Sequence, residues 1–271
     1  MKPTSGKRFN TFHYHEGEWS NDLAGVIEEK PVSMLVNNAQ WLTFMCTPMN
    51  LEELAVGFLY NEEIIQAMNE VASVKVCSGG DMIDIWLTRS VQKPEKWTRT
   101  SGCSGGETSV DGRKQKTGVP ISKNGALISP GMVDTLMCQL HQAQDLYKQT
   151  GGVHTSVLCD GEKILVSAED IGRHNTLDKL AGYCLRHNIN PKRRIILTTG
   201  RISSEMIQKA GRIGASVVIS RTSPTSLSIQ MADRMGITLV GYARREHFIV
   251  YTHPQRILFI PSNEKATCEA E

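Results

Sequence analysis

The composition of this 271-residue chain, with 40% apolar and 21% charged residues, is that of a globular protein long enough for two ordinary domains. A net charge of +2 favours neither nucleic acid nor a membrane surface as a partner, so any anion binding must come from local clusters of basic residues. No apolar run approaches the roughly 18 residues of a membrane span, and the N-terminal stretch lacks the apolar segment of a signal peptide. We therefore expect a cytoplasmic protein that binds neither nucleic acid nor membranes.

The first part of the chain predicts a small α+β domain, which we place at residues 1–125. Alternating residues between positions 26 and 46 predict two strands, and Asn37-Asn38 between them suits the positive φ of a tight turn. Thr47-Pro48 resembles a helix N-cap followed by proline at the first helical position, so we expect a helix from there to about Gln66. Two further strands are expected in VASVKVCS and MIDIWLT.

A segment rich in glycine and hydroxyl residues follows the last of these strands and holds Cys103. From Thr98 to Lys116 the only aliphatic residue is Val110, so the segment cannot bury an apolar face, and we expect an exposed thiol on a mobile loop. Between Lys93 and Lys116, six basic residues stand against three acidic ones, and positive surroundings favour the nucleophilic thiolate. The alternative interpretation is a solvated linker in which the cysteine is incidental.

The seven cysteines are odd in number and irregularly spaced, which is typical of thiols in a reducing compartment. Cys46, Cys138 and Cys184 stand in apolar stretches and are predicted to be small buried residues. No C-x-x-C pair occurs in the sequence, so we expect no structural zinc site.

The remaining chain, residues 126–271, predicts an α/β domain. Ser129-Pro130-Gly131 starts a helix that we expect to continue to Gly151-Gly152, and Asp160-Gly161-Glu162 indicates a hairpin turn between two apolar runs. Helices and strands then alternate, which predicts a mostly parallel sheet with helices on its faces. The expected elements are helix 175–186, strand 195–199, helix 204–213, strand 216–220, helix 225–235 and strand 237–241. FIVYT and RILFIP are expected to be edge strands.

An arginine follows each strand end of the predicted sheet. The four are Arg173, Arg201, Arg221 and Arg244. Because ligands bind beyond the carboxyl ends of the strands in open α/β sheets, we expect these guanidinium groups to gather around one crevice. With Ser203, Ser223 and the helix N-termini, they are suited to a phosphate or pyrophosphate. Neither a P-loop nor a G-x-G-x-x-G fingerprint occurs.

Two histidines and two acids of this domain allow different interpretations. His154, in a strand-like run, is interpreted as a hydrogen-bonded packing residue, whereas His174, in an arginine-containing loop, is interpreted as a ligand contact. Glu169 and Asp170 could indicate metal or general-base chemistry, but adjacent acids before a helix also cap its N-terminus, and we prefer the cap.

The motifs along most of the chain resemble those of the formate dehydrogenase accessory sulfurtransferases, the FdhD/NarQ family. In the first domain the resemblance lies in EEKPVSMLVN, LEELAVGFLYNEEII and the Ser101-Gly102-Cys103 loop. In the second domain it lies in GGVHTSVL, EDIGRHNTLDK, TTGRISSEMIQKAG, TSPTSLSIQMA, GITLVGYAR and VYTHPQRI.

The resemblance implies a sulfur carrier, that is, a sulfurtransferase that works through a cysteine persulfide. A cysteine desulfurase would load sulfane sulfur onto Cys103, and the sulfur would pass to the molybdenum bis-molybdopterin guanine dinucleotide cofactor that formate dehydrogenase requires. The second domain would resemble a cytidine-deaminase-type α/β fold, and we expect no intrinsic metal. The segment that matches the cofactor-binding loop of the family consists of Tyr242, Ala243, Arg244, Arg245, Glu246 and His247. The arginine crevice suits a guanine-nucleotide-like ligand.

One departure from the family pattern concerns the thiol segment, where Gly106 stands in place of a second cysteine. A lone Cys103 is still adequate, because a neighbouring thiol would discharge the persulfide as hydrosulfide while forming a disulfide. Two alternatives stay open. One is a binding-only chaperone for the molybdenum cofactor; the other is a zinc deaminase, which requires H-x-E and P-C-x-x-C motifs that the chain lacks. The oligomeric state is also open, and a homodimer is one arrangement that the sequence allows.

Overall fold

The computed structural model describes residues 6–94, 98–99, 107–108, 126–245 and 247–258, and only the backbone of residues 98–99 and 107–108. The expected loop around Cys103 therefore lies outside the described residues, and the domain boundary at 125/126 stays a prediction. No helix in the described part of the chain is long and apolar enough to cross a membrane.

The described chain opens with a β-hairpin that our sequence analysis missed, in which β1 (Gly6–His15) pairs antiparallel with β2 (Glu18–Ile27). Most of its side chains are exposed, including Phe12 at 75% and Trp19 at 71%. Strands are predicted from apolar residues that alternate with polar ones. This alternation arises when one face of the strand is buried. A hairpin with little buried surface lacks that pattern.

The first sheet has four strands, covered by one helix. Its elements are β3 (Lys30–Val36), β4 (Ala39–Cys46), α1 (Leu51–Asn61), β5 (Val71–Val76) and β6 (Met82–Leu87). The strand order is β4-β3-β6-β5, and α1 packs its apolar residues against the sheet. The predicted hairpin turn is confirmed, because Asn37 and Asn38 have φ of 49° and 67°. Further along, β7 (Thr98–Arg99) pairs antiparallel with β8 (Glu107–Thr108).

The predicted limits of the first helix are wrong at both ends. The residue before α1 is Asn50, with φ of 53°, so Thr47 does not cap the helix. Thr47 is buried instead, and its backbone and hydroxyl bind residues of the second half of the chain. The helix ends at Asn61, several residues before Gln66.

The second sheet is the middle layer of an α/β/α arrangement, as the fold prediction required. It is preceded by α2 (Pro130–Gln142) and α3 (Asp145–Thr150). Its further elements are β9 (His154–Cys159), β10 (Ile164–Asp170), α4 (Arg173–Arg186), β11 (Ile195–Thr198), α5 (Ser204–Ile213), β12 (Val217–Ser220), α6 (Ser226–Arg234), β13 (Thr238–Arg244) and β14 (His247–Thr252). Helix α2 packs on one face, and α4, α5 and α6 pack on the other.

Three details of the second half differ from the prediction. The sheet, in the order β10-β9-β11-β12-β13-β14, is mixed, because only the β11–β12 and β12–β13 pairs are parallel. The helix that starts after Ser129 ends at Gln142, and a separate short helix follows. The run RILFIP is not an edge strand in its described part, where Ile257 makes an isolated bridge to Ile128. In addition, Cys138 is exposed on α2, while Cys46 is buried as predicted.

The two sheets are joined by a close crossing of α1 and α4. Gly57 of α1 and Gly182 of α4 face each other's backbones, with no space for a side chain. A Cβ on Gly57 would overlap the carbonyl oxygen of Asp178, and a Cβ on Gly182 would overlap that of Glu53. The two glycines therefore let the helices approach to backbone contact, which brings the apolar core of the first sheet next to that of the second, and Tyr60 packs against both cores.

Two buried lysines reinforce this junction. Lys179 donates to Asp170 Oδ2 (2.6 Å) and to the carbonyl of Thr47 (3.2 Å), while the amide of Thr47 donates to the same carboxylate oxygen (3.2 Å). Lys209 of α5 donates to both oxygens of Asp178, at 2.7 and 2.6 Å. Each buried charge thus has an opposite charge and further hydrogen bonds, as burial requires.

Replacing Gly182 by alanine tests the helix crossing. Because the new methyl group would overlap backbone atoms of α1, Gly182→Ala should lower the free energy of unfolding by about 2 kcal/mol or more. The measurement is urea unfolding followed by circular dichroism. Gly131→Ala is the matched control, since a Cβ at Gly131 meets nothing within 4 Å and should be neutral or stabilise by up to about 1 kcal/mol. Equal stability of the two variants would refute the close crossing.

Replacing Lys179 by methionine tests the buried ion pair. The substitution leaves the Asp170 carboxylate buried without its cation, and we expect unfolding to become easier by about 3–5 kcal/mol. Lys192→Met, at an exposed lysine, serves as the control and should change stability by less than about 0.5 kcal/mol. Thermal unfolding that is unchanged in Lys179→Met would contradict the role assigned to the pair.

Candidate functional site

The candidate site lies where the parallel strands of the second sheet end. Thr198 of β11 is level with Ser220 of β12, and Ile219 of β12 is level with Val240 of β13. The residues that follow these positions therefore emerge at the same edge of the sheet. This edge is the one at which α/β sheets bind ligands.

A cavity of about 440 Å³ opens at this edge. Tyr147 of α3 adds an aromatic side chain to a lining whose polar residues are Gln144, His154, Thr199, Arg221, Thr222 and Arg244. The volume is typical of a small-molecule site. Since none of the described lining residues is an acid, the cavity combines positive charge with hydrogen-bond donors, which is the chemistry that binds phosphate groups.

Backbone hydrogen bonds between neighbouring loops hold the cavity wall in place. The amide of Arg221 donates to the carbonyl of Thr198 (3.2 Å), and the amide of Tyr242 donates to that of Thr222 (3.1 Å). The hydroxyl of Ser220 donates to the carbonyl of Gly200 (2.8 Å). The three loops after β11, β12 and β13 thus form one connected surface.

The structure brings together two of the four predicted arginines at the cavity. Arg221 and Arg244 are exposed and line it. Arg201 is exposed but does not line it, and Arg173 is 93% buried, packed against Gly200. The prediction that four arginines surround one crevice is therefore met only in part. The first turn of α4 is buried, so Arg173, its first residue, is buried as well.

His174 is buried in this structure between α4 and α5, and its interpretation as a ligand contact stays a prediction. Its Nε2 lies 3.2 Å from Ser203 Oγ and 3.1 Å from Glu205 Oε2. Burial lowers the pKa of His174, and the nearby Lys209 and Arg173 lower it further, against the opposing effect of Glu205. The imidazole is therefore neutral at pH 7 and donates to the carboxylate.

Glu205 completes this buried group between α4 and α5. Burial alone would raise the pKa of Glu205, but hydrogen bonds from His174 and Ser203, together with the charge of Lys209, outweigh it and hold the pKa below its usual range. Ser203 also caps α5, since its Oγ accepts from the amide of Met206 (3.4 Å). Ser203 thus positions the helix and is 95% buried, whereas Ser223 is half-buried in the next loop.

His154 lines the cavity, so its interpretation as a hydrogen-bonded packing residue is wrong. It is half-buried at the start of β9, and neither ring nitrogen has a hydrogen-bond partner among the described residues. Burial is the main cause that lowers the pKa of His154, and the charges of Arg173 and Arg201 lower it further, while Asp170 acts in the opposite direction. The signal that could have found it is its place in the first position of a strand beside the cationic loops.

The segment that matches the family's cofactor-binding loop forms the tight end of the β13–β14 hairpin. Tyr242 and Arg245 have positive φ, of 53° and 50°, and Arg244 pairs with His247 across the turn. Tyr242, Arg244, Arg245 and His247 are exposed, whereas Ala243 is buried. Glu246 lies outside the described residues.

The two adjacent acids do not cap α4 as predicted. The carboxylate of Glu169 accepts from the amides of Leu146 (2.7 Å) and Tyr147 (3.0 Å), so it caps the short α3. Asp170 accepts from the amide of Gly172 (2.8 Å) in addition to its buried lysine. Among the described residues, no group of three or more His, Cys, Asp or Glu side chains is arranged to hold a metal ion.

Comparisons with known proteins agree with the motifs and with the fold. A family model described as the FdhD/NarQ family matches residues 27–258. A sulfur carrier protein FdhD of Bacillus pumilus is 37% identical over 264 residues, which cover 95% of this chain and 99% of that protein. One of Staphylococcus aureus strain MRSA252 is 32% identical over 248 residues, which cover 90% and 94%.

A solved structure has the same architecture. The crystal structure of a formate dehydrogenase accessory protein from Desulfotalea psychrophila matches with a TM-score of 0.78 and 27% identity, over 94% of this chain and 100% of that one. The family model and the relatives both span most of the sequence. The chain therefore belongs to the FdhD/NarQ family.

Proposed function

We propose that this protein is a cytoplasmic sulfur carrier for the maturation of formate dehydrogenase, with Cys103 as the residue that carries the sulfur. In this proposal Cys103 accepts sulfane sulfur from a cysteine desulfurase as a persulfide. The protein then delivers the sulfur to the molybdenum bis-molybdopterin guanine dinucleotide cofactor, which it binds as cargo. Membership of the family and the names of the relatives support the sulfur-carrier role.

The cationic cavity at the strand ends is the observation that carries the proposal. A guanine dinucleotide contains a diphosphate with two negative charges, and the cavity offers the guanidinium groups of Arg221 and Arg244 with the hydroxyls of Thr199 and Thr222. The ring of Tyr147 at the cavity suits an aromatic base. These features favour a nucleotide-bearing cargo over a small inorganic anion alone.

Burial makes three of the other cysteines poor nucleophiles, which supports a special role for the basic segment. Burial raises the pKa of Cys46 and of Cys159 to about 12, and that of Cys184 to about 11. These thiols are protonated at neutral pH, and the protonated thiol is a poor nucleophile. Cys103, among six basic residues, is better placed to be a thiolate.

The loading step balances without an external oxidant or reductant. The Cys103 thiolate attacks the outer sulfur of the donor persulfide, a new S–S bond forms at Cys103, and the donor S–S bond breaks. The donor cysteine leaves as a thiolate. One sulfane sulfur has then moved from one cysteine to another.

Incubation with a cysteine desulfurase and free cysteine tests Cys103 directly. We expect peptide mass spectrometry to find one added sulfur atom on Cys103, and none on this peptide in Cys103→Ala. Cys138→Ala, at an exposed cysteine of α2, is the control and should load like the unchanged protein. Loading that stays the same in Cys103→Ala would rule out the proposed carrier residue.

The binding-only chaperone is the second candidate, because the cavity by itself accounts for cargo binding. Formate dehydrogenase activity in cells separates the two functions. A carrier loses activity in Cys103→Ala, whereas a chaperone keeps activity in that variant and loses it in Arg244→Ala.

Removing an arginine of the cavity should weaken the binding of guanosine diphosphate. A hydrogen bond to a charged group contributes about 1.5–3 kcal/mol, so Arg221→Ala and Arg244→Ala should each weaken binding about ten-fold or more in titration calorimetry. Arg234→Ala, at an exposed arginine in the last turn of α6, is the matched control and should bind normally. If all three variants bind like the unchanged protein, the cavity is not the nucleotide site.

A further inference from the structure

Among the described residues that line the cavity, His154 is the one that carries an imidazole, the group whose charge ordinarily changes near neutral pH. It stands at the start of β9, level with Asp170 of β10, and lines the same cavity as Arg221 and Arg244. Neither of its ring nitrogens has a hydrogen-bond partner within the described chain, although the ring is half-buried. A half-buried imidazole without a protein partner in a polar cavity is suited to bind a ligand.

Gly200 shows how closely the surroundings of the imidazole are packed. A Cβ on Gly200 would lie 3.4 Å from His154 Nδ1 and 3.0 Å from Arg173 Cβ. The loop after β11 therefore packs closely against Arg173 and reaches ordinary contact distance from the ring of His154. The packing confines the ring beside the cavity.

We propose that His154 is a further binding residue of this cavity, which pairs as an imidazolium with a diphosphate group and takes up its proton when the diphosphate binds. The proposal rests on the proposed nucleotide cargo and deepens it. It assigns the diphosphate, rather than the base, to the part of the cavity formed by His154, Arg221 and Arg244.

The charges around His154 explain why the free cavity holds a neutral ring. The charges of Arg173 of α4 and Arg201 after β11 act on it, beside the neutral His174, and the charged Arg221 and Arg244 line the same cavity. Asp170 opposes these cations, but it is already paired with a buried lysine. The remaining titratable neighbours are Glu169, which caps α3, and Tyr147. Burial and the cations together lower the pKa of His154.

A bound diphosphate reverses this balance. Its two negative charges neutralise the arginines of the cavity, and its oxygens accept hydrogen bonds from an imidazolium N–H. The pKa of His154 is therefore higher in the complex than in the free protein. Because the complex binds more protons than the free protein, affinity must increase as pH falls and decrease as pH rises.

The probe for this linkage is a guanosine diphosphate sugar, in which the diphosphate is a diester. Free guanosine diphosphate is unsuitable, because its terminal phosphate titrates near pH 6 like other phosphate monoesters. The diester keeps two charges over the whole range, and it is also the form in which a dinucleotide carries its diphosphate. Any change in proton number on binding then comes from the protein.

Titration calorimetry at about pH 6, 7 and 8, in buffers of different ionisation enthalpy, measures both affinity and proton uptake. We expect the unchanged protein to bind about ten-fold more tightly at pH 6 than at pH 8, since one pKa unit corresponds to a ten-fold change. His154→Gln keeps a hydrogen-bonding side chain but cannot be protonated. Its affinity should be independent of pH and close to that of the unchanged protein at pH 8.

Two further variants make the result decisive. His154→Asn repeats the test with a smaller amide, and circular dichroism checks that both variants fold. His13→Gln removes an exposed histidine of the N-terminal hairpin and should keep the full pH dependence.

Binding without proton uptake in the unchanged protein, or proton uptake that persists in both His154 variants, overturns the role of His154 and leaves the proposed function intact. Absence of binding at every pH contradicts the proposed function as well.

Discussion

The backbone contact between α1 and α4 is the constraint on which the rest of the structure depends. Because Gly57 and Gly182 have no side chains to separate the two helices, the apolar cores of the two sheets lie next to each other. The contact also fixes the direction of α4, whose first residue is Arg173. Since Asp170, immediately before this helix, binds both Lys179 and Thr47, the start of α4 is tied to the first sheet by hydrogen bonds as well as by packing. The contacts that fix the start of α4 therefore also position Ile171, the residue after Asp170, which lines the cavity.

This arrangement divides the cationic residues of the second half into two groups with different tasks. Arg173 and Lys209 are buried, and Lys209 joins α5 to α4 through its ion pair with Asp178, beside the neutral His174 and its contact with Glu205. Arg221 and Arg244 stand at the ends of β12 and β13 and face the cavity. A buried cation cannot rearrange around a ligand without losing its partners, whereas an exposed one can. The buried cations thus contribute a fixed positive charge near the site, whereas the exposed arginines can contact a ligand directly.

The sequence predicted where helices and strands occur better than it predicted which side chains are buried and which are exposed. Strong local signals, such as the Asn37-Asn38 turn and the Ser129-Pro130 helix start, were sufficient because turn and cap chemistry is local. The alternation of helices and strands predicted a sheet with helices on both faces. It did not predict that β9 pairs antiparallel with β11, because that pairing depends on contacts between residues distant in sequence. The exchange of roles between His154 and His174 has the same cause. By sequence His154 lies in a strand-like run and His174 in a polar loop, and only the packing of α4 against α5 buries His174.

The position of Ala126 relates the cavity to the segment that carries Cys103. Ala126 is buried, and its amide donates to Ser216 Oγ (3.1 Å) just before β12, whereas the cavity lies beyond the other end of that strand. Four residues of strand, at about 3.3 Å each, separate these points by roughly 13 Å. The chain between Pro94 and Ala126 is long enough to cover this distance, because an extended residue spans about 3.3–3.6 Å. In the proposed cargo, the diphosphate and the metal are also separated, since the pterin lies between them. Charge recognition by the cavity and sulfur chemistry at Cys103 can therefore occur at different ends of one ligand, and the thiol has no need to enter the cationic cavity.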